Sequence, residues 1–183
     1  DLIRIALVAS DNRAAAALGR AYPGGVAAFV GAMNAKAQLL GLQSTRFVDS
    51  SGLAPGNVSS PAELARLVAE ASKYDIIREY STTPALDVTL PETGRKVNYV
   101  NTNALVRAGD WDIGVSKTGY ISESGKCLVM QAIIANTPVV IVLLDSWGRL
   151  TRIGDANRIK RWIENASANQ LRRSAALGRR TAG

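Results

Sequence analysis

Apolar residues in the first half of the chain recur at helical spacing. A stripe across residues 26–40 has apolar side chains three or four positions apart and predicts a helix that faces a core, ended by Gly41. Ser60, Pro61 and Glu63 have the order of a helix start, with an N-cap, a proline at the first helical position and an acid in the first turn. The same periodicity predicts helices at residues 2–8, 11–21, 61–73 and 75–80.

The second half of the chain changes to a period of two, which is typical of β-strands. The predicted strands are residues 87–90, 95–99, 111–118, 126–135 and 139–144. The first two form a hairpin, and short connections make the last three antiparallel neighbours. A closing helix is predicted at 155–166. This order indicates an α+β fold, with the closing helix packed on the sheet.

The composition restricts the possible chemistry. The chain has 183 residues, enough for one domain, and no histidine, which excludes His-based triads and His-ligated zinc. Its net charge of +7 is concentrated in the last quarter, and residues 169–183 are predicted to form a basic tail, disordered or loosely helical. The single cysteine, Cys127, is expected to be a buried thiol.

One candidate site is Lys117-Thr118-Gly119, at the end of a predicted strand. An ammonium, a hydroxyl and a residue without a side chain can together receive an anionic ligand at a sheet edge. Strand alternation places Lys117 and Gly119 on one face and Thr118 on the other. A surface lysine before a turn has the same letters, so the tripeptide alone is weak evidence.

A second candidate motif is Ser10-Asp11-Asn12, in which Ser10 or Asp11 could simply cap the following helix. Ser-Asp-Asn and Lys-Thr-Gly are two of the three motifs of active-site-serine penicillin-interacting enzymes. The third, Ser-x-x-Lys, carries the nucleophile. No serine in this sequence has a lysine three residues further on.

With these motifs in order, the chain resembles the low-molecular-mass penicillin-binding proteins, specifically the D-alanyl-D-alanine endopeptidases and carboxypeptidases. Similar segments also occur at residues 22–25, 33–37, 45–47, 51–53, 101–103 and 125–127, so that the resemblance covers residues 2–166. Tyr-Pro-Gly-Gly at 22–25 is most similar to the endopeptidase group, of the penicillin-binding protein 7 type. The implied fold is the transpeptidase fold shared with β-lactamases, a helical subdomain plus an antiparallel sheet. Residues 1–168 would be the C-terminal two thirds of the peptidase domain.

The resemblance assigns catalytic roles to three residues. Ser10 would help pass a proton to the leaving amine, Asn12 would hydrogen-bond the substrate's amide carbonyl, and Lys117 would add positive potential beside Ser10. The implied substrate-binding residues are Thr118, Gly119 and Tyr120. The Thr118 hydroxyl would meet the terminal carboxylate or the neighbouring peptide, and the Tyr120 N–H would form half of an oxyanion hole.

The resemblance implies a serine-type peptidase that acts on peptidoglycan stem peptides through an acyl-enzyme in the periplasm. β-Lactams would be covalent inhibitors, and no metal or organic cofactor is implied. The nucleophile and two further strands are expected on a segment before Asp1, so the fold would be incomplete at the N-terminus and the chain alone inactive. A sheet edge left unpaired would favour homo-association.

Three alternatives remain open at this stage. A class A β-lactamase shares both motifs but needs a deacylating glutamate, for which Glu63, Glu70 and Glu79 are the candidates. A non-catalytic module that binds peptidoglycan peptides would explain the missing nucleophile. Nucleic-acid binding through the basic C-terminus is disfavoured, because few aromatic residues accompany the basic ones.

Overall fold

A computed structural model describes residues 1–91 and 93–181. The helices of this part are α1 Leu2–Ala9, α2 Asn12–Ala21, α3 Gly25–Leu39, α4 Pro61–Ala71, α5 Asp75–Ser81, α6 Ala104–Ala108 and α7 Thr151–Thr181. The strands are β1 Ala85–Thr89, β2 Lys96–Val100, β3 Asp112–Ile121, β4 Gly125–Ile134 and β5 Thr137–Ser146. None of the helices described is both long and apolar enough to cross a membrane.

The strands form two antiparallel units. β1 and β2 make the predicted hairpin, with Ala85 opposite Val100. β3, β4 and β5 make a meander in that order, as the short connections predicted, so β3 and β5 are the edges of the sheet in the described residues. Helix α6 was not predicted, because its five residues are too few to show a helical period.

Two apolar clusters hold the parts of the site in place. In the larger, α7 packs on the sheet through residues such as Leu128 and Met130, which are both 0% exposed, and Ala156. The smaller joins α1 and α2 to the hairpin, and its members are Ile5, Val8, Ala14, Leu86 and Val88. The first cluster therefore fixes β4, the strand paired with β3, and the second fixes the end of α1.

Helix α7 is longer than predicted at both ends. It begins at Thr151 rather than 155 and continues to Thr181 rather than ending near 166. Over residues 169–181 of the predicted basic tail the backbone is thus helical. Residues 182–183 lie outside the described residues. The domain boundary after residue 168 stays a prediction. The sequence also predicts that Ile159, Trp162 and Ile163 share one face of this helix. Ile159 and Ile163 do pack against the core, but Trp162 is largely exposed, because it lies off the buried stripe.

The predicted burial of α3 is wrong. Of the apolar stripe across residues 26–40, Ala37 is buried, whereas Val26 is exposed and Met33 is half-buried. α3 packs against α2, and its Met33 lines an open cleft rather than a closed core. The predicted end is confirmed, since Gly41 follows the helix with a φ of 68°.

The predicted start of α4 at Pro61 is confirmed. The Ser60 side chain accepts a hydrogen bond from the backbone N–H of Glu63 at 3.3 Å. The Glu63 carboxylate accepts bonds from the Ser44 backbone N–H at 2.9 Å and the Thr45 hydroxyl at 2.6 Å. This carboxylate therefore fastens α4 to the preceding loop.

The expectation that Cys127 is buried is wrong, because its thiol is only half-buried. It lies near the start of β4, where the register with β5 shifts between Lys126 and Leu128. Its Sγ donates to the Ser124 carbonyl oxygen at 3.3 Å.

Candidate active site

An open cleft of about 800 Å³ lies where the helices meet the edge of the sheet. Its walls are the junction of α1 and α2, the loop over residues 47–57 and the end of β3. All six residues assigned from the sequence, in the Ser-Asp-Asn and Lys-Thr-Gly-Tyr segments, line this cleft. The two motifs are more than 100 positions apart, so the fold alone brings them together.

Ser10 is held at the cleft by an unusual backbone conformation. It ends α1 in the left-handed region, with φ 54° and ψ 35°, which costs a non-glycine residue about 1 kcal/mol or more. It does not cap α2, because Asp11 does so by accepting from the Ala14 N–H at 2.9 Å. Ser10 is therefore free to turn its hydroxyl to β3, where it contacts the Lys117 ammonium.

Lys117 is a cation in a largely desolvated position. Burial, and secondarily the charge of Arg152, lower the pKa of Lys117 to about 8. Its Nζ donates to the Ser10 hydroxyl and to the Thr118 carbonyl oxygen at 3.0 Å. A lysine with this pKa is mostly charged at neutral pH yet can give up its proton, as proton transfer requires.

Thr118 reaches the same cleft as Lys117, although strand alternation predicted opposite faces. Its hydroxyl lies 2.6 Å from that of Thr102. Both residues lie near the C-terminal end of β3, and both line the cleft. The separation expected from alternation therefore does not keep the two side chains apart.

The other assigned residues present polar groups or backbone to the cleft. Asn12 opens α2 with an exposed side chain. Gly119 and Tyr120 are exposed, and the Lys126 ammonium lies 4.2 Å from the centre of the Tyr120 ring. Gly119 itself therefore adds no side chain that would keep a ligand from the β3 backbone.

Sequence reasoning missed two cleft residues, Thr102 and Arg152. Thr102 lies in the segment 101–103, which was interpreted as turn chemistry, and Arg152 precedes the predicted start of its helix. The Arg152 guanidinium donates to the carbonyl oxygens of Gly119 at 3.2 Å and Cys127 at 3.0 Å. Burial lowers the pKa of Arg152. The Arg152 guanidinium is a second cation beside Lys117.

The three glutamates considered for a β-lactamase are not in the cleft. Glu63 fastens α4, Glu70 pairs with two lysines, and Glu79 lies exposed on α5. The described cleft has two carboxylates, Asp11 at the helix cap and Asp49.

Asp49 is already fully engaged by neighbours in its own loop. Although burial opposes it, hydrogen bonds from Ser51 and Asn57 hold the pKa of Asp49 below its usual value. A further bond comes from the Gly52 N–H at 3.1 Å. This carboxylate is therefore a poor general base, and the geometry argues against the β-lactamase alternative.

Comparison with known proteins agrees with the motifs. A family model for D-alanyl-D-alanine carboxypeptidases matches residues 1–148. A D-alanyl-D-alanine endopeptidase of Pseudomonas aeruginosa is 42% identical over 93% of this chain and 55% of its own length. One of Escherichia coli K12 is 43% identical over 90% of this chain and 53% of its own length.

Solved structures support the same grouping. The Streptomyces K15 DD-transpeptidase superposes with a TM-score of 0.78 at 29% identity, over 86% of this chain and 64% of that one. Penicillin-binding protein D2 of Listeria monocytogenes, in its cefotaxime-bound form, gives a TM-score of 0.73 at 31% identity. This match covers 86% of this chain and 63% of that one. The predicted transpeptidase fold, helices with an antiparallel sheet, is thus confirmed.

The chain spans about half the length of the curated relatives it matches. Within that span the resemblance predicted from the two motifs is confirmed by the family match and by both relatives. This chain belongs to the D-alanyl-D-alanine carboxypeptidase family, peptidase S11.

Proposed function

We propose that the protein containing this chain is a serine-type D-alanyl-D-alanine peptidase that acts on peptidoglycan stem peptides. The observation that carries the proposal is the meeting of Ser10, Lys117 and Thr118 in one open cleft. A hydroxyl in contact with a lysine of pKa about 8 can move a proton, and the neighbouring cations favour an anionic ligand.

In this proposal the peptide lies along the edge of β3. Its terminal carboxylate lies near the Thr118 hydroxyl and the positive charges of Lys117 and Arg152. The Asn12 side chain hydrogen-bonds the amide carbonyl of the substrate, and the backbone N–H of Tyr120 donates to the oxygen of the scissile carbonyl. These contacts orient the bond and stabilise negative charge that develops on its oxygen.

The chemical step needs a serine from outside the printed sequence, because no serine here has a lysine three residues on. That serine gives its proton to the lysine of its own motif as it attacks the D-alanyl carbonyl, and the peptide C–N bond breaks as the acyl-enzyme forms; this proton replaces the one that Ser10 and Lys117 deliver. The leaving amine takes a proton from the Ser10 hydroxyl, and Lys117 then donates a proton to Ser10. Water then hydrolyses the ester.

β-Lactams would acylate the same serine. Action on peptidoglycan would place the protein in the periplasm.

The experiment is digestion of purified muropeptides by the complete protein, followed by chromatography. We expect cleavage of D-alanyl cross-links, since the two relatives compared here are named endopeptidases. Release of free D-alanine from pentapeptides would instead assign a carboxypeptidase. The Ser10→Ala variant should lose about 10²- to 10⁴-fold in turnover, the usual share of acid–base catalysis.

Ser72→Ala is the matched control, because its hydroxyl bonds only to a carbonyl of its own helix at an exposed site. It should keep the activity of the unsubstituted protein. Failure of the complete protein to cleave either substrate would contradict the proposal. Peptide binding without cleavage would favour the second candidate, a non-catalytic peptidoglycan-binding module, which the missing Ser-x-x-Lys motif supports.

A further inference from the structure

We propose that Thr102 is a positioning residue of the site, which orients the Thr118 hydroxyl as a donor to the carboxylate end of the substrate. The identity of that substrate rests on the proposed function. Thr102 belongs to neither motif, and three observations support the role: a rigidly held backbone, an exposed position at the cleft, and a hydroxyl chain that leads to Lys117.

The backbone before Thr102 is fixed by a buried amide. Asn101 is 3% exposed, and its side-chain nitrogen donates to the carbonyl oxygens of Ser81 and Thr83, both at 3.0 Å. Its side-chain oxygen accepts from the Asn103 N–H at 2.9 Å, which closes a tight turn around Thr102. The amide thus ties this turn to the end of α5.

The backbone after Thr102 is fixed in the same way. Asn103 is 1% exposed, donates to the Ser116 hydroxyl at 2.9 Å and accepts from the Leu105 N–H at 3.0 Å. The N–H of Thr102 itself donates to the Val8 carbonyl oxygen at 3.3 Å. Two buried side chains therefore hold one exposed threonine between α1 and β3, the elements that carry Ser10 and Thr118.

The hydroxyl chain has a direction, because an ammonium can only donate. Lys117 donates to Ser10, whose own proton is then free for Thr102 at 3.4 Å or the Thr118 carbonyl oxygen at 3.4 Å. Between Thr102 and Thr118, 2.6 Å apart, either hydroxyl can donate in the free site. A carboxylate ligand only accepts, so Thr118 must donate to it, and Thr102 must then donate to Thr118.

It follows that Thr102 contributes to recognition of a carboxylate and not of a neutral amide. An amide terminus offers its own N–H donors, so Thr118 can accept from it and needs no donor behind it. Removal of the Thr102 hydroxyl should therefore weaken selectivity more than binding in general. A residue that only supported the fold would weaken both ligands alike.

The test measures equilibrium binding to the complete protein of an acetylated D-alanyl-D-alanine analogue in which two methylene groups replace the CO–NH of the scissile bond, so that the ligand gains no basic nitrogen. The same analogue with a C-terminal amide is the comparison ligand. We expect Thr102→Val to lower the preference for the carboxylate about three- to tenfold, the effect of losing the neutral hydrogen bond from Thr102 to Thr118, with little change for the amide. Thr102→Ser should keep the preference.

Thr137→Val is the control, because that threonine is exposed at the start of β5, at the opposite end of the sheet. Thermal unfolding shows whether each variant is folded. Thr102→Ala replaces Thr102→Val in the binding test if Thr102→Val does not fold. Three results would overturn the inference. The first is an unchanged preference for the carboxylate ligand in the variants without the Thr102 hydroxyl, and the second is an equal loss of affinity for both ligands. The third is no preference for the carboxylate ligand in the unsubstituted protein. Neither ligand can acylate a serine, so penicillin labelling tests the proposed function separately.

Discussion

At the scale of single residues, the site depends on how Lys117 holds its charge. The side chain is largely desolvated, and Arg152 is a second cation beside it, so the charged form is less favoured than in water. The folded chain therefore binds this proton less tightly than the unfolded chain does. Between about pH 8 and the ordinary lysine pKa of 10.5 the unfolded state holds more protons, and this group makes the free energy of unfolding rise with pH.

A bound carboxylate reverses this balance, since an opposite charge stabilises the ammonium and raises the pKa of Lys117. We expect the affinity for the methylene analogue to be highest below pH 8 and to fall above it, by up to about tenfold per pH unit. Calorimetric titration over a pH range that brackets 8 measures this. In the Lys117→Arg variant the affinity should not change over this pH range, because arginine stays charged there. A pH-independent affinity of the unsubstituted protein would contradict the role of Lys117 in binding the carboxylate.

The residues of the site were partly predictable from the sequence. Ser10 and Lys117 were found because their motifs are short and local. Thr102 was not, because the role proposed for it depends on contacts with residues 92 positions before it and 16 after it. Arg152 was missed for the same reason, since it meets Gly119 only after α7 packs on the sheet.

At the scale of elements, β4 shows how the sequence pattern becomes a core. Alternate residues of this strand, from Leu128 to Ile134, face α7 and are buried, while Ile133 points to the other face and is 37% exposed. This alternation made the meander predictable. The burial of α3 was not predictable, because an apolar stripe that lines a cleft has the same spacing as one that faces a core.

The position of β4 makes a paired prediction about stability. Leu128→Ala should lower the free energy of unfolding by about 2–5 kcal/mol, because the fully buried side chain leaves a cavity beneath α7. Ile133→Ala, on the same strand but partly in water, should cost less than half as much. Urea unfolding of the complete protein measures both. Equal losses would mean that α7 does not cover this face of the sheet.

At the scale of the whole molecule, the described residues form an open cleft that, in the proposed function, is one side of an active site. They supply the contact between Ser10 and Lys117, the hydroxyls of Thr102 and Thr118 and the edge strand β3, to which the proposed function assigns proton transfer and carboxylate binding, and the sequence contains no Ser-x-x-Lys. The outer edge of β5 has no partner strand in residues 1–91 and 93–181. The expected further strands, and the expected self-association through such an edge, stay predictions.

The central claim is that this cleft serves a nucleophile outside the printed sequence. The most direct measurement is to react the complete protein with a fluorescent penicillin and to map the labelled peptide by mass spectrometry. We predict one label, on the serine of a Ser-x-x-Lys segment that is not among the 183 residues. A label on Ser10 or on any other serine of this chain, or no label at all, would contradict the account.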